Sequence, residues 1–203
     1  MTSPTVRKKF LWFLLWLNLA LLPVLFIAGR SAFFYGRAAT TPDALPVYAR
    51  MPEFELTRED GTAFGSARMR GGLWLADFMF TRCQNQCPMM SVKFRALQGV
   101  LPPETRLVSF SVDPGHDTPE ILKAYADEYK ARADKWVFLT GDQKKLQGLM
   151  KALHLGSEDD PAMHSLRFVL LDKSLRVRGY YDSTETESLA KMKTDIEQLR
   201  KEK

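Results

Sequence analysis

The strongest constraint on the fold is the run Leu73, Trp74, Leu75, Ala76, Asp77, Phe78, Met79, Phe80, which leads within three residues into Cys83-Gln84-Asn85-Gln86-Cys87-Pro88. A nearly continuous apolar run of this length reads as a strand covered on both faces, so other elements must pack on each side of its sheet. Pro88 suits a first helical turn, and Met90, Phe94, Leu97 and Leu101 follow at helical spacing. The cysteine pair therefore stands where a buried strand hands over to a helix.

The rest of the chain alternates in the same way. Segments 53–56 and 62–64 flank the turn Glu59-Asp60-Gly61 and predict an N-terminal hairpin. Strands are expected over 107–112, 136–139 and 166–171, and over 176–181 after the turn Asp172-Lys173-Ser174. Helices are expected from Thr118-Pro119-Glu120 to about residue 130 and over 143–153, the second ended by Gly156. Thr184 and Glu187 form a capping-box signature for a last helix, with Leu189, Met192, Ile196 and Leu199 on its apolar face. This order is a three-layer α/β pattern with a mixed central sheet. With the cysteines at a strand-to-helix junction, it looks like a thioredoxin-like fold. A hydrophobic content of 45% over 203 residues supplies a core for one such domain and an appended segment.

That segment is N-terminal. Of the 19 residues in 10–28, only Asn18 and Pro23 are not apolar. A helix of that length spans about 28 Å, enough to cross a bilayer. Arg7, Lys8 and Lys9 precede it, placing that end in the cytoplasm and the rest of the chain in the periplasm, on a single-pass inner-membrane anchor. A cleaved signal is the competing reading, but the run leads into Gly29-Arg30-Ser31-Ala32-Phe33-Phe34, which is not a small-x-small site. No cysteine near the run offers a lipid attachment point. The expected division is an anchor over 1–30, a linker over 31–50 containing Pro42 and Pro46, and a folded domain over 51–203. The net charge of +5 comes mostly from this end: residues 1–35 hold Arg7, Lys8, Lys9 and Arg30 and no acid, against 25 basic and 24 acidic residues beyond. A nucleic-acid-binding face has no compositional support, and no nucleic-acid partner is expected.

Cys83 and Cys87 are the chain's only cysteines. In an oxidising compartment two such neighbours form a disulfide, a redox couple or part of a metal site. At a helix start their sulfurs lie on one side of the turn, where the helix dipole favours thiolate. Thiolates bind soft metals such as Cu(I) or exchange with disulfides. Asp77, six residues before Cys83, is a carboxylate inside the apolar strand. A buried acid is costly unless hydrogen-bonded or neutral, so Asp77 is either a proton acceptor for thiol exchange, as the aspartate at that offset is in classical thioredoxins, or an acid held in a structural hydrogen bond or left partly exposed.

Five pieces in order resemble the Sco/SenC family of thioredoxin-like copper proteins: Pro52-Glu53-Phe54-Glu55-Leu56 with Asp60-Gly61; Phe80-Thr81-Arg82-Cys83 through Cys87-Pro88; Ser111-Val112-Asp113-Pro114-Gly115-His116-Asp117-Thr118-Pro119; Leu139-Thr140-Gly141-Asp142; and His164 before the 166–172 segment. The resemblance covers essentially all of residues 50–200. It implies copper, as Cu(I) or Cu(II), held by Cys83, Cys87 and His164. It also implies delivery to the binuclear copper centre of a cytochrome c oxidase, so that subunit or another periplasmic copper or thiol protein is the expected partner. The alternative is a thiol-disulfide oxidoreductase in which Cys83 attacks and Cys87 resolves; a metallochaperone is favoured over an enzyme. Gln84 stands where the family usually has proline, which predicts a more mobile loop between the cysteines. Asp113 and Asp117 belong to a loop that sits beside the site in the family, and Asp117 is expected to cap the following helix. His116 is expected in solvent and His154 as an ordinary helix-end residue, whereas Met89, Met90 and Met163 are expected at the core or its rim.

Overall fold

The computed structural model of the protein describes residues 44–155 and 166–202. Its compact unit begins at Leu45. The expected anchor at 10–28 lies outside the described residues, among which no helix is long and apolar enough to cross a membrane.

Among the described residues there are eight strands and four α-helices: β1 (Ala49–Arg50), β2 (Glu55–Arg58), β3 (Ala63–Gly65), β4 (Leu73–Met79), α1 (Gln86–Val100), β5 (Thr105–Ser111), α2 (Pro119–Glu128), β6 (Trp136–Thr140), α3 (Gln143–Ala152), β7 (Arg167–Leu171), β8 (Arg176–Asp182) and α4 (Thr186–Lys201). A 3-10 turn, Ser66–Met69, links β3 to β4. The strands form one mixed sheet in the order β1-β8-β7-β4-β5-β6-β2-β3. The centre, β4-β5-β6, is parallel, and every other pairing is antiparallel.

Strand β4 is buried along its whole length, as its apolar run demands, and its residues alternate between two cores. Trp74, Ala76 and Phe78 join Val108, Phe110, Val137 and Leu139 beneath Leu146, Leu149 and Met150 of α3. On the opposite face Leu73, Leu75 and Met79 meet Phe94 of α1, Leu122 of α2 and Ile196 of α4. Phe94 stacks on Phe168 of β7 with ring centroids 4.5 Å apart, and full burial of each such ring contributes roughly 1.5–3 kcal/mol. Asp77 shares the parity of Leu75 and Met79, so it faces the α1, α2 and α4 layer.

The expected hairpin is β2–β3. Gly61 takes φ +79°, and Asp60 accepts the Thr62 amide at 2.9 Å, closing the turn with a local side-chain bond. Three local expectations give way to other chemistry. The last residues of the 31–50 segment join the sheet, because β1 pairs with β8 and Tyr48 donates its amide to the Val177 carbonyl at 2.9 Å. Helix α3 stops before Gly156: His154 adopts φ +53°, with its amide on Lys151 and the Leu155 amide on Met150, so that Leu155 reaches the core. Thr184 does not cap α4, since Asp182 accepts both its amide and its hydroxyl; the helix starts two residues later after Glu185, with no side-chain cap.

Candidate metal centre

The cysteine loop begins where β4 ends. Phe80 accepts the Cys83 amide at 3.3 Å, which closes a turn with Thr81 and Arg82 at its middle. Helix α1 then starts after Asn85, whose side chain makes no capping bond. The Cys87 amide instead donates to Cys83 Sγ at 3.4 Å, so a sulfur occupies the place a capping oxygen usually takes.

The two sulfurs stand in different surroundings. Cys83 is half-buried, and although that burial alone would raise its pKa, the amides of Cys87, Asn85 and Gln86 outweigh it and bring the thiol below its ordinary value. Cys87 is fully buried. Its burial, reinforced by the nearby charges of Cys83 and Asp77, pushes the thiol far above its ordinary value. The outer sulfur is therefore the readier thiolate and the inner one holds its proton.

Asp77 is wholly buried, and among the described residues neither of its carboxyl oxygens has a hydrogen-bond partner within reach. Burial pushes its pKa up to about 7. Ser109, directly across on β5, already accepts the Trp136 indole N–H at 2.9 Å and eases the carboxylate only in part. Partial exposure does not apply to Asp77, and the acid sits where its charge reaches Cys87.

Asp117 is placed differently from the expectation. Thr118 caps α2 by accepting the Ile121 amide at 3.4 Å. Asp117 is fully buried and turns toward the cysteine loop, where it accepts the Thr81 amide at 3.2 Å, the Thr81 hydroxyl, and the Ser111 hydroxyl at 2.6 Å. Ser111 in turn accepts the Asp113 amide at 3.1 Å, and Asp113 binds the Arg82 guanidinium, with Nε at 3.0 Å. Sequence reading missed Thr81 and Ser111. The available signal was a hydroxyl residue next to the cysteine loop and another six residues before a buried acid.

The other candidates are dispersed. His116 is half-buried in the β5–α2 loop and His154 is exposed. Met90 is buried at the core, whereas Met89 is 53% exposed on the outer side of α1. His164 and Met163 lie outside the described residues. Among the described residues no group of three His, Cys, Asp or Glu side chains is arranged to hold a metal ion. The cysteine pair thus offers two soft donors that need a further ligand from elsewhere, a donor set suited to copper in preference to a hard cation.

The chain is matched over residues 43–200 by the family model described as SCO1/SenC. It is 32% identical over 149 residues to the SCO1 protein homolog of Bacillus subtilis, covering 69% of this chain and 77% of that protein. It is 33% identical over 153 residues to a putative copper-binding protein of Stutzerimonas stutzeri, covering 66% of this chain and 74% of that one. Among solved structures, BsSco, a member of the Sco family of cytochrome c oxidase assembly proteins in which a disulfide switch has been identified, is 26% identical with a TM-score of 0.67, over 78% of this chain and 97% of BsSco. Together with the strand-to-helix cysteine pair and the mixed sheet, these matches establish that the chain belongs to the SCO1/SenC family.

Proposed function

We propose that the protein binds copper through Cys83, Cys87 and His164 and delivers it to the binuclear copper centre of a cytochrome c oxidase, held at the inner membrane by residues 10–28 with its domain in the periplasm. The observation that carries the reading is the pair of adjacent sulfurs at the start of α1, one half-exposed and one buried. Two relatives support it: one is described as copper-binding and the other belongs to a family of cytochrome c oxidase assembly proteins. Copper is the cargo. Cys83, reachable from solvent and already biased to thiolate, suits first contact with the ion, and Cys87 must release its proton to become the second donor. The exposed sulfur also suits release, since an incoming donor can approach there before the buried one lets go.

The purified reduced protein should take up one copper ion, and its Cu(II) form should show a thiolate-to-copper charge-transfer absorption. Replacing both cysteines (Cys83→Ser with Cys87→Ser) should abolish the band and the binding. Undiminished binding in that variant sinks the assignment, and undiminished affinity in His164→Ala removes the histidine from it.

A second reading, thiol-disulfide exchange, is favoured by the division between the sulfurs. The Cys83 thiolate would attack a partner disulfide, forming a mixed disulfide and expelling a partner thiolate. Cys87, losing its proton, would then displace the second partner sulfur and close Cys83–Cys87. Asp77, whose charge reaches the Cys87 thiol, would accept that proton.

A further inference from the structure

The turn that presents Cys83 is held from outside its own segment. Its two middle residues, Thr81 and Arg82, are both gripped by carboxylates of the β5–α2 loop, four residues apart in sequence. The two grips differ in strength. Arg82 and Asp113 meet at the surface, where an ion pair contributes roughly 0–1 kcal/mol. Asp117 has no exposure and its carboxylate is met by three donors, the amide and hydroxyl of Thr81 and the hydroxyl of Ser111. Among the described residues its hydrogen-bond partners include no cation, so these directional bonds offset the cost of burying a carboxyl group, and they hold only while Thr81 keeps its place. The loop that carries Asp117 is itself tight, since the amides of His116 and Asp117 both donate to the Asp113 carbonyl, at 3.0 and 2.8 Å.

We propose that Asp117 is a positioning residue for the cysteine site: by holding Thr81 it sets where Cys83 Sγ stands over the first amides of α1, and so how the two sulfurs face each other. The proposal rests on the reading of Cys83 and Cys87 as the working pair. Asp117 touches neither sulfur in this role and acts through the turn. Asn85 leaves the helix start without a side-chain cap, and the other side-chain hold on the turn is the surface pair of Arg82 and Asp113. The same placement explains why Thr118, and not Asp117, caps α2: the carboxylate is already committed to the neighbouring loop.

The test uses the full-length protein and two readouts that a merely structural role would leave alone. The first, made on metal-free protein, is the equilibrium constant for forming the Cys83–Cys87 disulfide against dithiothreitol, a two-electron exchange in which oxidised dithiothreitol takes up both protons and both electrons of the thiols. The second is the charge-transfer band of the Cu(II) form. Asp117→Asn keeps the shape but replaces one acceptor oxygen with a donor amide, and should lower the disulfide constant roughly three- to tenfold by loosening the orientation of the thiols, with a displaced band. Thr81→Val should do the same, and Thr81→Ser, which retains amide and hydroxyl, should restore wild-type values. Circular dichroism and thermal unfolding establish that each variant is folded. If Asp117→Asn fails to fold, Thr81→Val against Thr81→Ser decides alone. Folded variants with the wild-type disulfide constant and band overturn the proposal, even if their melting temperatures fall. Should the native protein take up no copper, the delivery reading fails while the metal-free thiol equilibrium still measures the role of Asp117.

Discussion

Asp77 within the central sheet and Asp172 at its β7–β8 turn are both buried, and the protein treats their charges in opposite ways. At the β7–β8 turn, Asp172 accepts the amides of Ser174 and Arg176 at 2.9 and 3.0 Å and the guanidinium groups of Arg176 and Arg178 at 2.7 and 3.0 Å. Burial would raise its pKa, but these donors more than offset it and keep it below the ordinary value. Arg178, 3% exposed, also binds Glu202 and the carbonyls of Leu45 and Pro46. Beneath Cys87, Asp77 has no such company and is pushed up to about 7. One region neutralises its acid with cations and tightens the fold; the other leaves an acid able to take or give a proton near neutral pH, close enough for its charge to bear on the Cys87 thiol. Pairing serves cohesion, and isolation preserves reactivity at the cost of stability.

The largest test of this contrast is Arg178→Met. Removing the cation leaves Asp172, Glu202 and two carbonyls without it, and breaking a buried pair from one side costs about 3–5 kcal/mol. Urea unfolding at neutral pH should show that loss; a change no larger than that of a surface ion pair, about 1 kcal/mol or less, would mean that pairing is not what holds this region. Asp77→Asn should act in the opposite sense. The folded carboxyl, at about 7, holds its proton more tightly than at its ordinary value of 3.8, so its contribution to stability is complete below about pH 4 and is lost as pH rises through about 7. The amide should therefore stabilise the protein at pH 8 by up to about 4 kcal/mol, since each pH unit separating the folded and ordinary values corresponds to about 1.36 kcal/mol, and by little at pH 4. Equal effects at both values would show that the acid is not the isolated group described. The smallest effect belongs to the exposed Arg82 and Asp113 pair. Arg82→Gln should change unfolding by no more than about 1 kcal/mol, an effect that fades in high salt.

What could be read from the chain follows the range of the interactions. Strand β4 and the helix after Cys87 are local patterns, an apolar run and a spacing, and both stand close to where they were expected. Asp77 could be identified as a buried acid because it interrupts that run. Asp117 could not be assigned, because its partner Thr81 is 36 residues away and capping is the default use of an aspartate before Thr-Pro. Strand β1 was hidden for the same reason. Two residues standing between Pro46 and Pro52 carry no strand signal, and the pairing that makes them a strand belongs to Val177 and Arg176. At α4 the capping-box pattern was present, but Asp182 captured Thr184 first. Family resemblance supplied His164, which no local pattern singles out.

The grip of Arg178 on Leu45, across 133 residues of chain, bears on how the molecule is made. A chain that emerges N-terminus first presents β1 at the outset, yet its partner β8 and the guanidinium that fastens the preceding carbonyls come almost at the end. Until then the first residues of the domain have nothing native to pair with, and closing so long a loop is entropically unfavourable before the intervening strands have gathered. The parallel centre can assemble from consecutive β–α units while the outer edge waits. Folding of this domain is therefore expected to finish where its synthesis began, at the first strand, and any event that stalls synthesis before β8 leaves an incomplete sheet with an open edge.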